Sequence, residues 1–480
     1  MNLAAAVHVV GIILLGVAAA EALSGGVGLL YEGGGAGALF LSSLVTAAAG
    51  VAAWRLTKAP EELRVREGYA IVGFGWLAAG LFGALPYLLS NATGSLTDAI
   101  FESISGFTTT GASVFTDIAG QPRGLLFWRS FTQWLGGMGI IVLGVAILPY
   151  LGVGGMQLFR AEVPGPTPER LRPRISQTAK LLWIVYAGFS AAQIALYLVG
   201  GLDPFDAVTH TFGTMATGGF SPRNASIGAY GSPFVEYVTV LFMYVAGINF
   251  ALHYRALTGR PRAFWGDEEW RFYTALALIA TAAIAGERIL RSGSAVEPAV
   301  REALFQVVSI GTTTGFATAD YTLWSPATQI ILVLLMFAGG MVGSTGGGMK
   351  TFRLWLILKQ GVLELRKHLH PRAVIVPKVA GKPIPEGIAV NIAGFILLYI
   401  TLFAAGTLWL TLFDIDMVTA AGASAATIGN VGPGLGLVGP AANYAWMPDA
   451  AKWACTFLML AGRLEIYTVL VLLHPEFWRK

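Results

Sequence analysis

Residues 98–113 read DAIFESISGFTTTGAS, and the fold turns on why threonine and glycine cluster there. The surrounding chain is oily: of 480 residues 55% are hydrophobic and only 12% charged. The mean hydropathy is +0.66. A soluble globule of this length does not show that balance, so the chain is read as an integral membrane protein. The quoted stretch is too short and too polar to cross a bilayer, yet it lies between apolar segments at 69–90 and 129–150 that are long enough. A span needs about 20 apolar residues, because ~1.5 Å of rise per residue has to cover ~30 Å of hydrocarbon. Irregular backbone at membrane depth survives only when it is buried in protein or lines water. Residues 98–113 are therefore expected to form a re-entrant half-helix and an inward-facing loop.

The pattern recurs. DAVTHTFGTMATGGFS (206–221), EALFQVVSIGTTTGFA (302–317) and DMVTAAGASAATIGNVG (416–432) each start with an acid, avoid proline for about ten residues and end in small residues with glycine. Gly111, Gly218, Gly315 and Gly429 are read as equivalent. Asp98, Asp206, Glu302 and Asp416 are expected in the first turn, where a carboxylate meets the positive end of the helix dipole. Each segment lies between two spans, so the unit is span, half-helix and loop, span, repeated four times. Four such loops about one axis make a ring of carbonyl dipoles, which can replace the hydration shell of a monovalent cation. Glycine permits the backbone angles that this requires. Small residues that merely let helices pack closely explain one such segment better than four at corresponding positions.

Further spans are read near 4–22, 39–56, 180–200, 235–254, 272–290, 327–360 (interrupted), 387–411 and 451–473, making ten crossings with both termini on one side. The first lacks a basic start and a small-residue cleavage site, so it is read as retained. Threading the chain places 23 of the 31 Lys and Arg on one face: the loops 55–68, 157–180, 254–271, 350–387 and the tail. Positive charge marks the cytoplasmic side, so both termini are expected there. The net charge of +4 then follows from topology, and no nucleic-acid-binding module is present. The reading is an all-α membrane protein: two extra N-terminal spans (1–60) and four pseudo-symmetric repeats at 61–160, 161–262, 263–375 and 376–480 around one central pore.

Two features interrupt this plan. FAGGMVGSTGGGMKTFR (337–353) carries six glycines that cannot sustain a helix, each costing about 1 kcal/mol relative to alanine. Its span is expected to break, leaving either a hinged loop below the ring or a static kink. GSTGGGMKT resembles a phosphate cradle only loosely, because Met349 precedes Lys350 and the run follows a span, not a strand. Arg463 lies within the last span, where facing lipid costs about 2.5–3.5 kcal/mol, so it is expected to face inward. There it is an electrostatic barrier, a latch for the glycine loop, or half of an interior salt bridge. Glu465 points elsewhere around a helix and is not its natural partner. The six histidines form no metal-like group, Cys455 stands alone, and no triad or carboxylate pair suggests an enzyme.

QWLGGMGIIVLGVAILPYLGVGGMQLFRAE (133–162), the four loops, GSTGGGMK (343–350), NVGPGLG (430–436) and GRLEIYTVLVLL (462–473) resemble the TrkH-type subunits of bacterial potassium uptake systems, within the Trk/Ktr/HKT superfamily. The resemblance covers essentially the whole chain. It implies a multi-pass protein of the bacterial inner membrane that translocates K⁺ and works as a homodimer with one pore per protomer. It also implies a cytoplasmic regulatory partner of the TrkA type that binds nucleotide and docks on the basic face. No cofactor is implied in this chain itself, where K⁺ is the transported ion. By motif, the selectivity filter falls on Thr108, Thr109, Thr110, Gly111 and Ala112, and on Met215, Ala216, Thr217, Gly218 and Gly219. It continues with Thr313, Thr314, Gly315 and Phe316, then Thr427, Ile428, Gly429 and Asn430. The gate falls on Gly343, Ser344, Thr345, Gly346, Gly347 and Gly348, with Lys350 and Arg463. The fourth loop departs from the pattern, with Gly429 where many relatives carry asparagine. A Na⁺-conducting or a proton- or Na⁺-coupled version of the same architecture is a second reading. A nucleotide-binding membrane protein using the 343–351 glycines is a remote third.

Overall fold

The first half-helix, Leu96–Phe107, starts where the Ser95 hydroxyl accepts the Asp98 amide at 3.1 Å. The second, Pro204–Met215, starts on Asp203 with proline in its first turn, and the fourth, Met417–Ile428, on Asp416. Such side-chain caps satisfy amides that the first turn leaves unpaired. The third, Val296–Gly311, has no side-chain cap. These assignments come from a computed structural model that describes residues 3–31, 34–58, 65–146, 171–370, 372, 378–379, 382–383 and 386–479.

Asp98 and Asp206 stand in the first turn as expected, Asp416 is the cap itself, accepting the amides of Val418 and Thr419, and only Glu302 lies farther along its helix. Asp98 binds Lys452 Nζ at 2.6 Å, Asp206 binds Arg223 at 2.7 Å, and Glu302, well inside its helix, binds Arg288 at 2.5 Å. A carboxylate poor in water does better beside a cation than beside a partial helix charge.

Each half-helix lies between an incoming and an outgoing helix: Val65–Phe82 and Arg123–Ala146, Leu171–Val199 and Pro233–Ala246, Glu268–Ser292 and Pro326–Ala338, Glu386–Thr411 and Asp449–Arg463. A hairpin, Leu3–Leu30 and Ala36–Leu56, precedes them, crossing where a Cβ added at Gly11 would lie 2.9 Å from the Gly50 carbonyl oxygen. Among the described residues, six helices are long and apolar enough to cross a membrane, and two bent pairs raise this to eight. Arg123–Ala146 and the interrupted pair Pro326–Ala338 and Thr351–Leu369 occupy the two remaining expected passages. Strand pairing among the described residues is a two-residue ladder, Lys378–Val379 with Lys382–Pro383. The end of the span expected at 129–150, the basic stretch 157–170 and most of 371–385 lie outside the described residues.

One interrupted span was expected, and three outgoing helices break. Pro233–Ala246 turns by 101° into Phe250–Leu257, and Asp449–Arg463 by 117° into Tyr467–Leu473. The second break has neither proline nor glycine at its corner. It uses left-handed Glu465 (φ 62°) and Ile466 (φ 38°), conformations that cost about 1–3 kcal/mol each in side-chain-bearing residues.

The outgoing helices approach the half-helix ends through bare glycine. A Cβ at Gly136 would lie 1.9 Å from the Phe107 carbonyl oxygen, and one at Gly462 would lie 2.0 Å from that of Ile428. We expect Gly136→Ala and Gly462→Ala to give no monodisperse peak in detergent size-exclusion chromatography. Gly16→Ala, where nothing lies within 4 Å, should purify normally.

Candidate functional site: a ring of four loops over a buried glycine loop

All four half-helices end alike. Thr109, Thr217, Thr313 and Asn430 take left-handed angles (φ 52°, 51°, 62° and 54°). Their amides reach back three residues, to Gly106, Thr214, Ile310 and Thr427. The next amides, of Thr110, Gly218, Thr314 and Val431, reach back five, to Ser105, Gly213, Ser309 and Ala426, at 2.7–2.9 Å. This is the Schellman closure, which normally places glycine at the left-handed position. Threonine there is an outlier, so the strain has to be held by the surroundings.

One residue later comes a positive-φ glycine in every loop: Gly111 (84°), Gly219 (76°), Gly315 (82°) and Gly432 (93°). This register corrects the expected one, which matched Gly218 and Gly429. Gly429 is instead the right-handed C-cap (φ −77°), equivalent to Thr108, Ala216 and Thr312. Asn430 thus holds the place of the left-handed threonines, and the apparent departure at Gly429 is an offset of one. Equivalence is set by where each buried helix ends, not by the position of a glycine in the linear sequence.

The same glycines close a ring. A Cβ on Gly111 would lie 2.2 Å from the Gly218 carbonyl oxygen, one on Gly219 2.0 Å from Thr314 O, and one on Gly315 2.0 Å from Val431 O. One on Gly432 would lie 2.6 Å from Thr110 O, which returns to the first loop. Among the described residues no donor reaches the carbonyl oxygens of Thr109, Thr217, Thr313 and Asn430, or of Gly111, Gly219 and Gly315. Buried acceptors are normally paired, so unpaired oxygens at matching positions of four loops are chemically suited to accept a cation. The glycine-rich loop lies directly beneath. Thr345 Oγ1 donates to Met215 O (3.0 Å), Gly347 N to Thr313 Oγ1 (2.6 Å) and Gly348 N to Gly429 O (3.0 Å).

Comparison with known proteins places the chain in a family. The profile of the TrkH family, described as a cation transport protein, matches residues 37–480. The chain belongs to the TrkH family of cation transport proteins. It is 40% identical over 488 residues to the Trk system potassium uptake protein TrkH of Escherichia coli K12, with 100% of both chains covered. To the protein of that name from Halomonas elongata it is 45% identical, over 88% of each chain. The crystal structure of the potassium transporter TrkH from Vibrio parahaemolyticus superimposes with a TM-score of 0.92 at 38% identity, covering 100% of both chains.

In this TrkH-family chain the glycine loop is held from several sides. Arg463 Nη1 donates to Thr345 O (2.7 Å) and Nη2 to Gly136 O (3.4 Å), and Lys350 Nζ donates to Gly346 O. Arg463 is the last residue before the corner of its helix, and it pairs with carbonyls and not with Glu465. Glu465 instead binds Arg353 at 2.5 Å, and Arg353 donates to Met349 O at 3.2 Å. The amides of Gly346, Gly347, Gly348 and Met349 go to Ser344 Oγ, Thr313 Oγ1, Gly429 O and Phe337 O. A phosphate cradle needs such amides free, so the geometry gives the nucleotide reading no support.

Sequence reasoning missed Thr312, Phe220, Val431, Gly432 and Pro433, because the helix ends that set the register are not marked by glycine. It also missed Glu102 and Arg129. Glu102 accepts Ser113 Oγ (3.0 Å) and Val114 N (2.9 Å) behind the first loop, and Arg129 binds it at 2.5 Å. Arg129 further donates to Ser221 O (3.0 Å) and lies 3.5 Å over the Phe220 ring in the second loop. The available signal was a carboxylate and a guanidinium in apolar helices, which have to find each other. Glu102→Gln strands Arg129, and removing one partner of a buried pair costs about 3–5 kcal/mol. A fall in the thermal unfolding midpoint of the purified protein is expected, larger than for Glu297→Gln at the exposed Arg301 pair.

Proposed function

We propose that this chain carries K⁺ across the bacterial inner membrane, with both termini cytoplasmic, through the ring formed by residues 108–112, 216–220, 312–316 and 429–433. The observation that carries the reading is the closed ring of four loops whose unpaired carbonyls can replace the water around a dehydrated monovalent cation. The potassium transport named for its relatives supports the choice of ion. The residues named for the filter from sequence enter this proposal with the register corrected: Met215, Thr427 and Ile428 belong to the helix ends, and Thr312, Phe220, Val431, Gly432 and Pro433 take part. The domain boundaries at 60/61, 160/161, 262/263 and 375/376 belong to the same proposal.

The glycine loop acts as the gate in this reading. With Thr345 bound to Met215, Gly347 to Thr313, and Arg463 to Thr345, the loop occupies the exit from the ring and has to move for an ion to pass. A TrkA-type cytoplasmic partner carrying the nucleotide would supply the work of moving it, acting on a homodimer from the basic face. A second reading has one observation in its favour. Gln133 Nε2 donates to Gly218 O (2.6 Å) and Gly348 N to Gly429 O, so the four loops offer unequal oxygens and Na⁺ passage is a reasonable rival. Reversal potentials in opposed K⁺ and Na⁺ gradients separate the two readings, and their pH dependence detects proton coupling.

Proteoliposomes of the purified chain should take up Rb⁺ tracer driven by a K⁺ gradient, and absence of flux would end the proposal. Gly315→Ser, whose side chain would meet Val431 O, should abolish discrimination between K⁺ and Na⁺. Arg463→Ala removes a charge-assisted bond worth about 1.5–3 kcal/mol. Roughly a ten- to hundredfold rise in flux without any partner is expected, and unchanged flux would remove the arginine from the gate.

A further inference from the structure

The four loops are tied at their glycine level by different groups. Six residues before the glycine, loops one and three carry serine, and these hydroxyls hold the outgoing limb: Ser105 Oγ donates to Ala112 O and Ser309 Oγ to Phe316 O, both at 2.6 Å. Loop two has Gly213 there, and Gln133 from the neighbouring helix replaces the tie, accepting from Phe220 N at 3.0 Å and donating to Gly218 O. Loop four has Ala426 there, with no hydroxyl, and the residue after its glycine is Pro433, with no amide hydrogen. It can make neither tie.

Tyr444, in the segment leading to the last helix, supplies one from outside. Its hydroxyl donates to Gly432 O at 2.8 Å, the one ring-glycine carbonyl that a donor reaches among the described residues. Its amide donates to Ser113 O in the first loop at 2.8 Å, and its ring packs on Phe101 of the first half-helix at 5.4 Å. This buried tyrosine therefore bridges the last loop to the first. That seam is the one the chain does not join covalently from one repeat to the next, and it is also the loosest, at 2.6 Å against 2.0–2.2 Å at the other three. We propose that Tyr444 is a specificity-determining residue, whose hydroxyl sets the spacing of the seam between loops four and one and orients the Gly432 carbonyl.

The inference rests on the ring being the ion-selecting site. Its test compares K⁺ to Na⁺ permeability ratios, from bi-ionic reversal potentials in proteoliposomes, for the unaltered chain, Tyr444→Phe and Tyr321→Phe. Tyr321 reaches loop four from the third repeat, donating to Pro433 O and Gly434 O without touching Gly432 or loop one, and it measures what a tie to the same loop at another seam contributes. Tyr444→Phe should keep K⁺ flux and lower the K⁺/Na⁺ ratio by roughly two- to tenfold, the worth of one hydrogen bond. An unchanged or raised ratio overturns the assignment, as does an equal fall in Tyr321→Phe. Should Tyr444→Phe pass neither ion, 3-fluorotyrosine at position 444 keeps the ring and strengthens the donor: a shifted ratio supports the assignment and an unchanged one overturns it. Failure of the unaltered chain to discriminate would count against the ring reading and not against Tyr444 alone.

Discussion

A carbonyl oxygen of one loop packed against the bare Cα of the next, four times round, leaves no room for a β-carbon at Gly111, Gly219, Gly315 or Gly432. This contact sets the diameter of the ring. It also explains why the half-helices stop where they do, since each glycine stands at a fixed count after a Schellman closure. A longer or shorter helix would carry its glycine out of register with the neighbouring oxygen.

The strain of that arrangement is distributed over the shell around it. Three threonines in left-handed angles cost about 1–3 kcal/mol each and are retained because the surrounding bonds leave them no alternative. Thr313 spends its hydroxyl on Gly347, and Asn430 donates to Thr110 Oγ1 and Met459 O. Each seam between repeats carries its own stitch: Arg129 between the first and second, Arg301 with Glu236 between the second and third, Tyr321 between the third and fourth, and Lys452 with Asp98 between the fourth and first. The ring with the helix ends that carry it and the glycine loop beneath share three hydrogen bonds, so they are mechanically one body while the loop is in place.

Much of the architecture was legible because membrane insertion leaves a coarse trace. Spans are runs of apolar residues, and the four half-helices announce themselves as polar, glycine-bearing segments where a span would not place them. The interruption at 339–350 was legible from six glycines. The corner at Glu465 and Ile466 was not, because nothing local breaks that helix: Arg463 is drawn to Thr345 and Glu465 to Arg353, two partners on different sides. The loop register failed for a related reason. In TMATGG and TIGNVG several glycines compete for one role, and the helix end that decides between them depends on packing against Gly136, Gly137 and Gly462 of other helices.

The amino-acid sequence by itself determined the class of protein, the positions of its long apolar helices and the fourfold repeat of half-helix and glycine-bearing loop. All of these follow from local hydrophobicity and spacing, which the chain carries without reference to its fold. Only the tertiary structure decided which glycine meets which carbonyl, which oxygens stay unpaired, and that Tyr444 closes the seam between repeats lying hundreds of residues apart. These are angstrom-scale contacts between distant segments, and a linear pattern holds no measure of such distances.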